Sequence, residues 1–552
     1  DAARPGPALE LLESRARDEL VDDFDLDQAA RIALRLDGLP LAIEMAAAQL
    51  RWTGIDELAE MVEERLTDLD RPPRRGADHR HFTLDQALDW SYALLDSESQ
   101  SVLRSLSVFR GGFRIDAAVA VTGLDRAVLT PVLRGLVDRS LVVADRRRPA
   151  RYRLLDSIGL FAGLRLTGCG EQAEAEERHL RWSEEFAQTA RQGALSAEES
   201  GWIPRVDAEL PNLVAAAQRA RAAGNPERAA RLIGPLAGIA LVQTRVGLLT
   251  AATALSDDLL ADPDRSAGPG VGWSVAMAAW VALRSSDLRL AGELAGRAIE
   301  LAGDDAERSE CYQVAASVAV FDGDLERMTE LATFGEELAR TVGHLPGIAI
   351  NSGLRVMFGV VTDSEPRRDL AERCLVTSLE VGSPSFAGWG YYVMGVSFQV
   401  TDPARAIEHL QHALRQLESV EARFYTDLVL RSLGEIHAGR SPAEAVGQLV
   451  MAIRSQLAVG DVNHAHMSAA WLSPPLVALG FHTEAVIIEA VIATWGDPIA
   501  RELNGPERVA ALATARSALG PIAYKSSSVL GATNTLADVI ERIGKLDLTE
   551  GR

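Results

Sequence analysis

The sequence predicts a mainly α protein: a helical lid segment, a winged-helix unit with a small β-hairpin, then an α-solenoid of helical pairs. Three observations carry this. Apolar residues recur at i, i+3, i+4 and i+7 along almost the whole 552-residue chain, with little alternation of period two. One convincing hairpin signal occurs, SLVVAD and RYRLL around the polar turn RRRPA. Short breakers at Asp287, Asp324, Asp363, Asp402, Ser441 and His482 are spaced by 37, 39, 39, 39 and 41 residues, close to a single period.

Residues 1–70 read as several helices, ALELLESRARDEL, LDQAARIALRLD, LAIEMAAAQL and IDELAEMVEERL. Gly38-Leu39-Pro40 interrupts them, because glycine can end one helix and proline is tolerated in the first turn of the next. Residues 71–81, RPPRRGADHRH, carry two prolines, a glycine and few apolar side chains, and are expected to be a linker. In residues 82–168 the stretches TLDQALDWSYALL, ESQSVLRSLSVF and DRAVLTPVLRGLVDRS precede the hairpin, and DSIGLFAGLRL follows it. Three helices and a two-stranded wing are the order of a winged helix.

Residues 169–271 are expected to form connector pairs, one hinged near Asn225-Pro226, with a Pro/Gly-rich loop from Asp262 to Gly272. Over residues 272–497 each breaker sits between two helix-length stretches, the pattern of a helix-turn-helix solenoid. The period exceeds the roughly 34 residues of a strict tetratricopeptide (TPR) array, so these repeats are TPR-like, with longer helices or looser turns. Residues 498–552 read as a terminal cap, with helices near Asn504–Leu519 and Thr535–Ile543.

Composition narrows the function. With 56 Lys+Arg against 78 Asp+Glu, the net charge of −22 argues against broad adhesion to DNA or anionic lipid and points to protein or small-molecule partners. Cys169, Cys311 and Cys374 are far apart and without CxxC spacing, so neither a disulfide framework nor a zinc knuckle is supported, and a reducing cytoplasm fits best. No stretch approaches the ~18 apolar residues of a membrane span.

Catalytic signatures are absent from the sequence. Only Lys525 and Lys545 are lysine, leaving 54 of the 56 basic residues as arginine, and neither lysine has the Gly-Lys-Ser/Thr context of a phosphate-binding loop. Nucleotide hydrolysis by that route is excluded for these residues. No HExxH or GxSxG stands out, and Ser91, Ser157 and Ser526-Ser527-Ser528 have no positioned base and read as helix-turn or loop residues. His464 and His466 at i and i+2 point about 200° apart on a helix, so neither this pair with His482 nor Asp78-His79-Arg80-His81 is expected to bind metal.

Two further clusters have a structural and a functional reading. Arg147, Arg148 and Arg151 in the wing, beside Arg146 and Arg153, could meet DNA phosphates, but a solvated turn is favoured because the chain is acidic and the third winged-helix helix mixes both charge signs. Phe386, Trp389, Tyr391 and Tyr392, with Trp389 and Tyr392 sharing a face, read as interhelix core first and as anchors in a concave groove second. Trp273 and Trp280, seven residues apart on one apolar face, read the same way.

Arg35–Leu50, RLDGLPLAIEMAAAQL, resembles the GxP segment of the STAND nucleotide-switch ATPases, specifically bacterial AfsR/SARP and LuxR-type regulators related to NB-ARC proteins. The resemblance continues through Arg80–Val121, Leu136–Ala162 and, more weakly, Trp202–Ala220. It implies a P-loop core upstream, a lid and winged helix that close over ATP or ADP with magnesium, and a repeat array that senses an inducer. The GxP positions carry over to Gly38, shaping the turn, and Pro40, against the adenine. Where eukaryotic relatives have Met-His-Asp, this sequence has Leu154-Leu155-Asp156, which lacks the histidine and leaves Asp156 as a helix cap or switch contact.

The chain is therefore expected to be a non-enzymatic regulatory and sensor portion of a STAND-type transcriptional regulator, with the P-loop domain missing from its N-terminal side and no cofactor of its own. Its expected partners are that P-loop domain, a protein or small-molecule inducer on the repeats, and further copies in a nucleotide-driven oligomer, with DNA reached through another domain and no membrane. A stand-alone protein-binding scaffold, direct winged-helix DNA binding, and the regulatory tail of a nucleotide cyclase are the alternatives.

Overall fold

The computed structural model describes residues 7–18, 25–36, 40–50, 53–67, 88–145, 150–261, 268–358, 367–495 and 505–548. The chain is mainly α, as its periodicity demands. It divides into two units, Asp1–Ser183 and Glu184–Arg552. The expected linker, 71–81, lies outside the described residues, as do Gly38, Arg147, Arg148 and the Asp78–His81 cluster.

In the first unit, helices Pro7–Asp18, Leu26–Arg35, Pro40–Gln49 and Ile55–Thr67 bury Leu12, Ile32, Ile43 and Leu58 in a common core. Asp25 caps the second of these, its carboxylate accepting from Asp27 N at 2.8 Å. The winged helix is Ser97–Leu106, Ile115–Thr122 and Arg126–Asp138, followed by strands Val143–Asp145 and Arg151–Arg153, antiparallel with Val143 opposite Arg153, and helix Asp156–Gly168.

This differs from the sequence reading at the second helix. Ile115–Thr122, sequence IDAAVAVT, is short and mostly apolar, so its periodicity is too weak to detect. A third edge of the wing was also missed. Phe113 N donates to Tyr152 O at 2.7 Å and Tyr152 N to Phe113 O at 2.8 Å, one bridge of a strand too short to leave a pattern. Gly112 beside it has φ +105, and a Cβ there would lie 2.8 Å from Tyr152 O, so only glycine fits.

The cores of the four N-terminal helices and of the winged helix interlock. Met45 of helix Pro40–Gln49, fully buried, belongs to the core of the winged helix with Leu88, Leu103 and Phe113. Trp90 does the reverse, packing with Ile32, Ile43 and Leu58 of the N-terminal helices.

The second unit is an array of helical pairs preceded by helices Glu199–Ala222, Pro226–Ile233, Ala237–Val242 and Val246–Ala261, with Asn225 at the N-cap position and Pro226 opening the second. The inner helices of the pairs are Val271–Arg284, Asp305–Asp322, Leu345–Phe358, Pro384–Phe398, Arg423–His437 and Val462–Ala469. The outer ones are Leu288–Leu301, Leu325–Thr341, Arg367–Val381, Pro403–Glu418, Pro442–Ala458 and His482–Trp495. Most of the breakers are helix starts. Asp287, Asp324 and Asp402 accept from Leu290, Arg327 and Arg405 N, and Ser441 occupies the same position without a side-chain bond. Asp363 lies outside the described residues.

The 39-residue period is visible in packing. Gly395 lies where a Cβ would meet Leu410 Cγ at 2.8 Å, and 39 residues on Gly434 stands against Leu449 in the same way at 2.6 Å. These two successive pairs thus bring an inner helix backbone onto an outer helix leucine.

Two boundaries move. The expected loop to Gly272 ends at Gly270, whose φ of +84 precedes helix Val271–Arg284. The terminal helix runs Gly505–Thr533 with a break at Gly520, φ +71, so Ser526, Ser527 and Ser528 are helical, with Ser527 Oγ bonded back to Ala523 O at 2.9 Å. The expected helix near Asn504–Leu519 ends at this break, where Gly520 kinks the chain and Pro521 opens a second segment.

Candidate functional site

Two places in the chain were expected to carry chemistry, and each is described within its own unit. In the lid, Pro40 is the first residue of its helix and is exposed. Its missing N–H leaves no broken bond in the first turn, and its ring is open to contact from outside. Asp156 is exposed at the first position of helix Asp156–Gly168. It does not cap that helix: the N-cap position is Leu155, without a side-chain bond, so Asp156 contributes through the helix dipole alone.

Arg151 is half-buried and donates from Nη2 to Gly112 O at 3.1 Å, tying the wing to the preceding loop. The third winged-helix helix exposes Arg126 and Arg134 beside Val128 and Thr130, a mixed rather than a basic face. Leu26, Leu34, Leu160 and Leu164 of this unit are exposed, Leu34 by 78%.

In the repeat unit the inner helices present one face inward and enclose a cavity of about 100 Å³. The pattern is helical on each: Trp273, Ala276 and Trp280; Glu310, Val314, Ser317 and Phe321; Ile350, Leu354 and Met357; Phe424, Leu428 and Arg431. Trp389 and His464 complete the wall from two further pairs. Helix Ala237–Val242 closes one side through Ala237, Gly238, Leu241 and Val242.

The array turns back on itself around this space. Arg284, in the first pair, forms an ion pair with Asp461 at 3.2 Å and donates from Nη2 to Val459 O at 3.0 Å. Asp461 also accepts from His464 Nδ1 at 2.9 Å, and Asn463 bonds both Leu283 O and Ser286 Oγ. Burial opposes ionisation of Asp461, yet His464 and Arg284 hold its carboxyl below the ordinary range. Trp280 lies edge-on to Phe424 at 5.2 Å. First and last pairs are thus joined by buried polar and aromatic contacts.

The wall is mostly apolar, and most of its polar groups are spoken for. Glu310 accepts from Arg191 Nη2 and pairs with His344 Nε2, each at 2.6 Å, and although burial opposes ionisation these partners hold it down to about 2. Trp389 Nε1 donates to Ala349 O at 3.0 Å. Beside the cavity, buried Glu199 accepts from Ser385 N at 2.8 Å and Gln243 Nε2 at 3.2 Å, and burial pushes its carboxyl up. Three donors on the wall have no partner: Trp273 Nε1, Trp280 Nε1 and Arg431 Nη1.

Both readings of the aromatic cluster therefore apply to Trp389, which is core-buried and also faces the cavity. Arg431 was missed, because nothing in RSLGEIH marks its arginine as inward. His464 and His466 go to different neighbours, His466 stacking on Trp495 at 4.2 Å. Among the described residues no cluster of His, Cys, Asp and Glu could hold a metal ion, and no helix is long and apolar enough to cross a membrane.

Residues 95–165 match the family model described as a winged helix-turn-helix domain. "Putative HTH-type transcriptional regulator Rv0890c" of Mycobacterium tuberculosis is 36% identical over 209 residues, 37% of this chain and 23% of that protein. "Uncharacterized protein Rv0894" of the same organism is 33% identical over 197 residues, 34% of this chain and 50% of that protein. The chain thus spans about a quarter and a half of these relatives. The crystal structure of PH0952 from Pyrococcus horikoshii, a Signal Transduction ATPase with Numerous Domains (STAND) protein with a tetratricopeptide repeat sensor, has a similar fold, with TM-score 0.53 and 14% identity over 98% of this chain and 74% of that one.

Proposed function

We propose that this chain is the regulatory and sensor portion of a STAND-type signalling ATPase, a transcriptional regulator of the AfsR/SARP or LuxR kind, acting on a P-loop core in the same polypeptide. The observation that carries this reading is the exchange of Met45 and Trp90 between lid and winged helix, which makes them one body able to move together over a nucleotide. The winged-helix match, the regulator relatives and the STAND-like fold support it.

ATP or ADP with magnesium would be held by the core, with Gly38 shaping the turn, Pro40 against the adenine and Asp156 on the winged-helix side. The exposed leucines at 26, 34, 160 and 164 give the core an apolar surface to meet. DNA is reached through another domain, since Arg151 is engaged by Gly112 and the helix face is mixed in charge. An inducer in the repeat cavity shifts the lid by binding its two states unequally. The chain itself carries out no chemistry.

The test is the reading frame upstream of Asp1. A strand followed by GxxxxGK[ST] within about one or two domain lengths, and inducer-dependent ATP turnover by the joined polypeptide, are expected. A frame with no such motif removes the reading in favour of a free-standing scaffold, and a cyclase domain there converts it to a cyclase regulator.

A further inference from the structure

The unpartnered groups of the repeat cavity share one property: all are donors. Trp280 is 3% exposed and its Nε1 has no acceptor. Arg431 is 8% exposed, lies on the wall one and two turns after Leu428 and Phe424, and its Nη1 has no acceptor either. Burying a donor without a partner is unfavourable, more so when it is charged, so an acceptor brought by a ligand is strongly favoured here. Its acidic group, Glu310, by contrast already has two partners, Arg191 and His344, both on Oε1.

The two carboxyls one turn either side of Arg431 on its helix do not make up the deficit. Burial raises Asp427 to about 8 and Glu435 to about 7, so near neutrality neither is fully ionised. A group that brings its own negative charge supplies the acceptor that Arg431 and Trp280 lack.

The shape limits length. The space is a closed pocket rather than an extended groove, because the first pair meets the last ones across it. A peptide would bring backbone donors and acceptors at every residue, and this wall of Trp280, Phe321, Met357 and Trp389 cannot satisfy them.

We propose that the cavity binds a small apolar monocarboxylate, its hydrocarbon or aromatic body packed against Trp280, Phe321, Met357 and Trp389 and its carboxylate accepting from Arg431 and Trp280 Nε1. This gives a ligand class to the inducer of the reading above and rests on that reading for its biological role alone. Binding itself is measured on the chain whether or not a P-loop core accompanies it.

The experiment is isothermal titration of the full chain with decanoate, decan-1-ol and decyltrimethylammonium at equal, sub-micellar concentrations. Decanoate binds one per chain and about tenfold or more tighter than the alcohol, the scale of one charge-assisted hydrogen-bonded contact, and the ammonium does not bind. Arg431→Met lowers decanoate affinity to that of the alcohol without changing the alcohol's own, and Ala276→Trp, which fills the cavity, removes both. Equal binding of decanoate and decanol, preference for the ammonium, or unchanged decanoate binding by Arg431→Met overturns the proposal. Should Arg431→Met fail to fold, the comparison of the three ligands on the unaltered chain decides. A missing P-loop motif upstream would end the STAND reading while leaving these titrations unmoved.

Discussion

Arg284 and Asp461 meet at 3.2 Å with side chains 6% and 2% exposed, an ion pair that joins the first helical pair of the array to the sixth. Removing one member leaves the other buried and charged, which costs about 3–5 kcal/mol. Asp461→Asn is therefore expected to lower the urea midpoint of the repeat unit far more than Arg327→Ala, whose partner Glu330 is half in solvent. Equal shifts for the two variants would show that the closure carries no stability.

Gly395 and Gly434 occupy one position in successive repeats, facing Leu410 and Leu449. Alanine at either forces a leucine away from its rotamer, an overpacking cost of about 1–3 kcal/mol. Both variants should lose similar stability by thermal melting. Gly439→Ala, with open space at its Cβ, should lose none by contact.

Trp90 links the lid to the winged helix. Trp90→Ala is expected to destabilise the first unit by about 3–5 kcal/mol, the range for large aromatic truncations. Limited proteolysis should then release a lid fragment while the repeat unit stays intact.

Stability should fall as pH rises through neutrality. Burial pushes Asp427 up to about 8, above its unfolded value of 3.8, so the folded state holds the proton more tightly between those values. Its contribution is complete below the unfolded pKa and is lost as pH climbs toward 8, and Glu435 acts in the same sense up to about 7. Asp427→Asn should flatten the denaturant midpoint between pH 5 and 8 and raise it at the upper end. Glu310, held at about 2, works oppositely: its contribution is present above its unfolded value and is lost as the solution is acidified toward that pKa.

Sequence periodicity sufficed for the fold class and for most helix starts in the array, because Asp287, Asp324 and Asp402 are both polar interruptions and N-caps. It failed where an element is short or mostly apolar, as in Ile115–Thr122 and the bridge at Phe113. Pro40 was placed on its helix by proline chemistry, and Asp156 was placed one position too early in role. The cavity was only half legible. Its tryptophans stand out by size and spacing, whereas the inward turn of Arg431 depends on contacts between residues far apart along the chain, which no local window contains.

An open stack of repeats tolerates gain or loss of a unit, since each repeat touches only its neighbours. Here the count is locked. Inserting or deleting one 39-residue unit would carry Asn463 away from Leu283 and Ser286, and Asp461 away from Arg284. Descendants of this chain can lengthen at loops or at the tail, but the number of helical pairs is fixed by the need for the last to find the first.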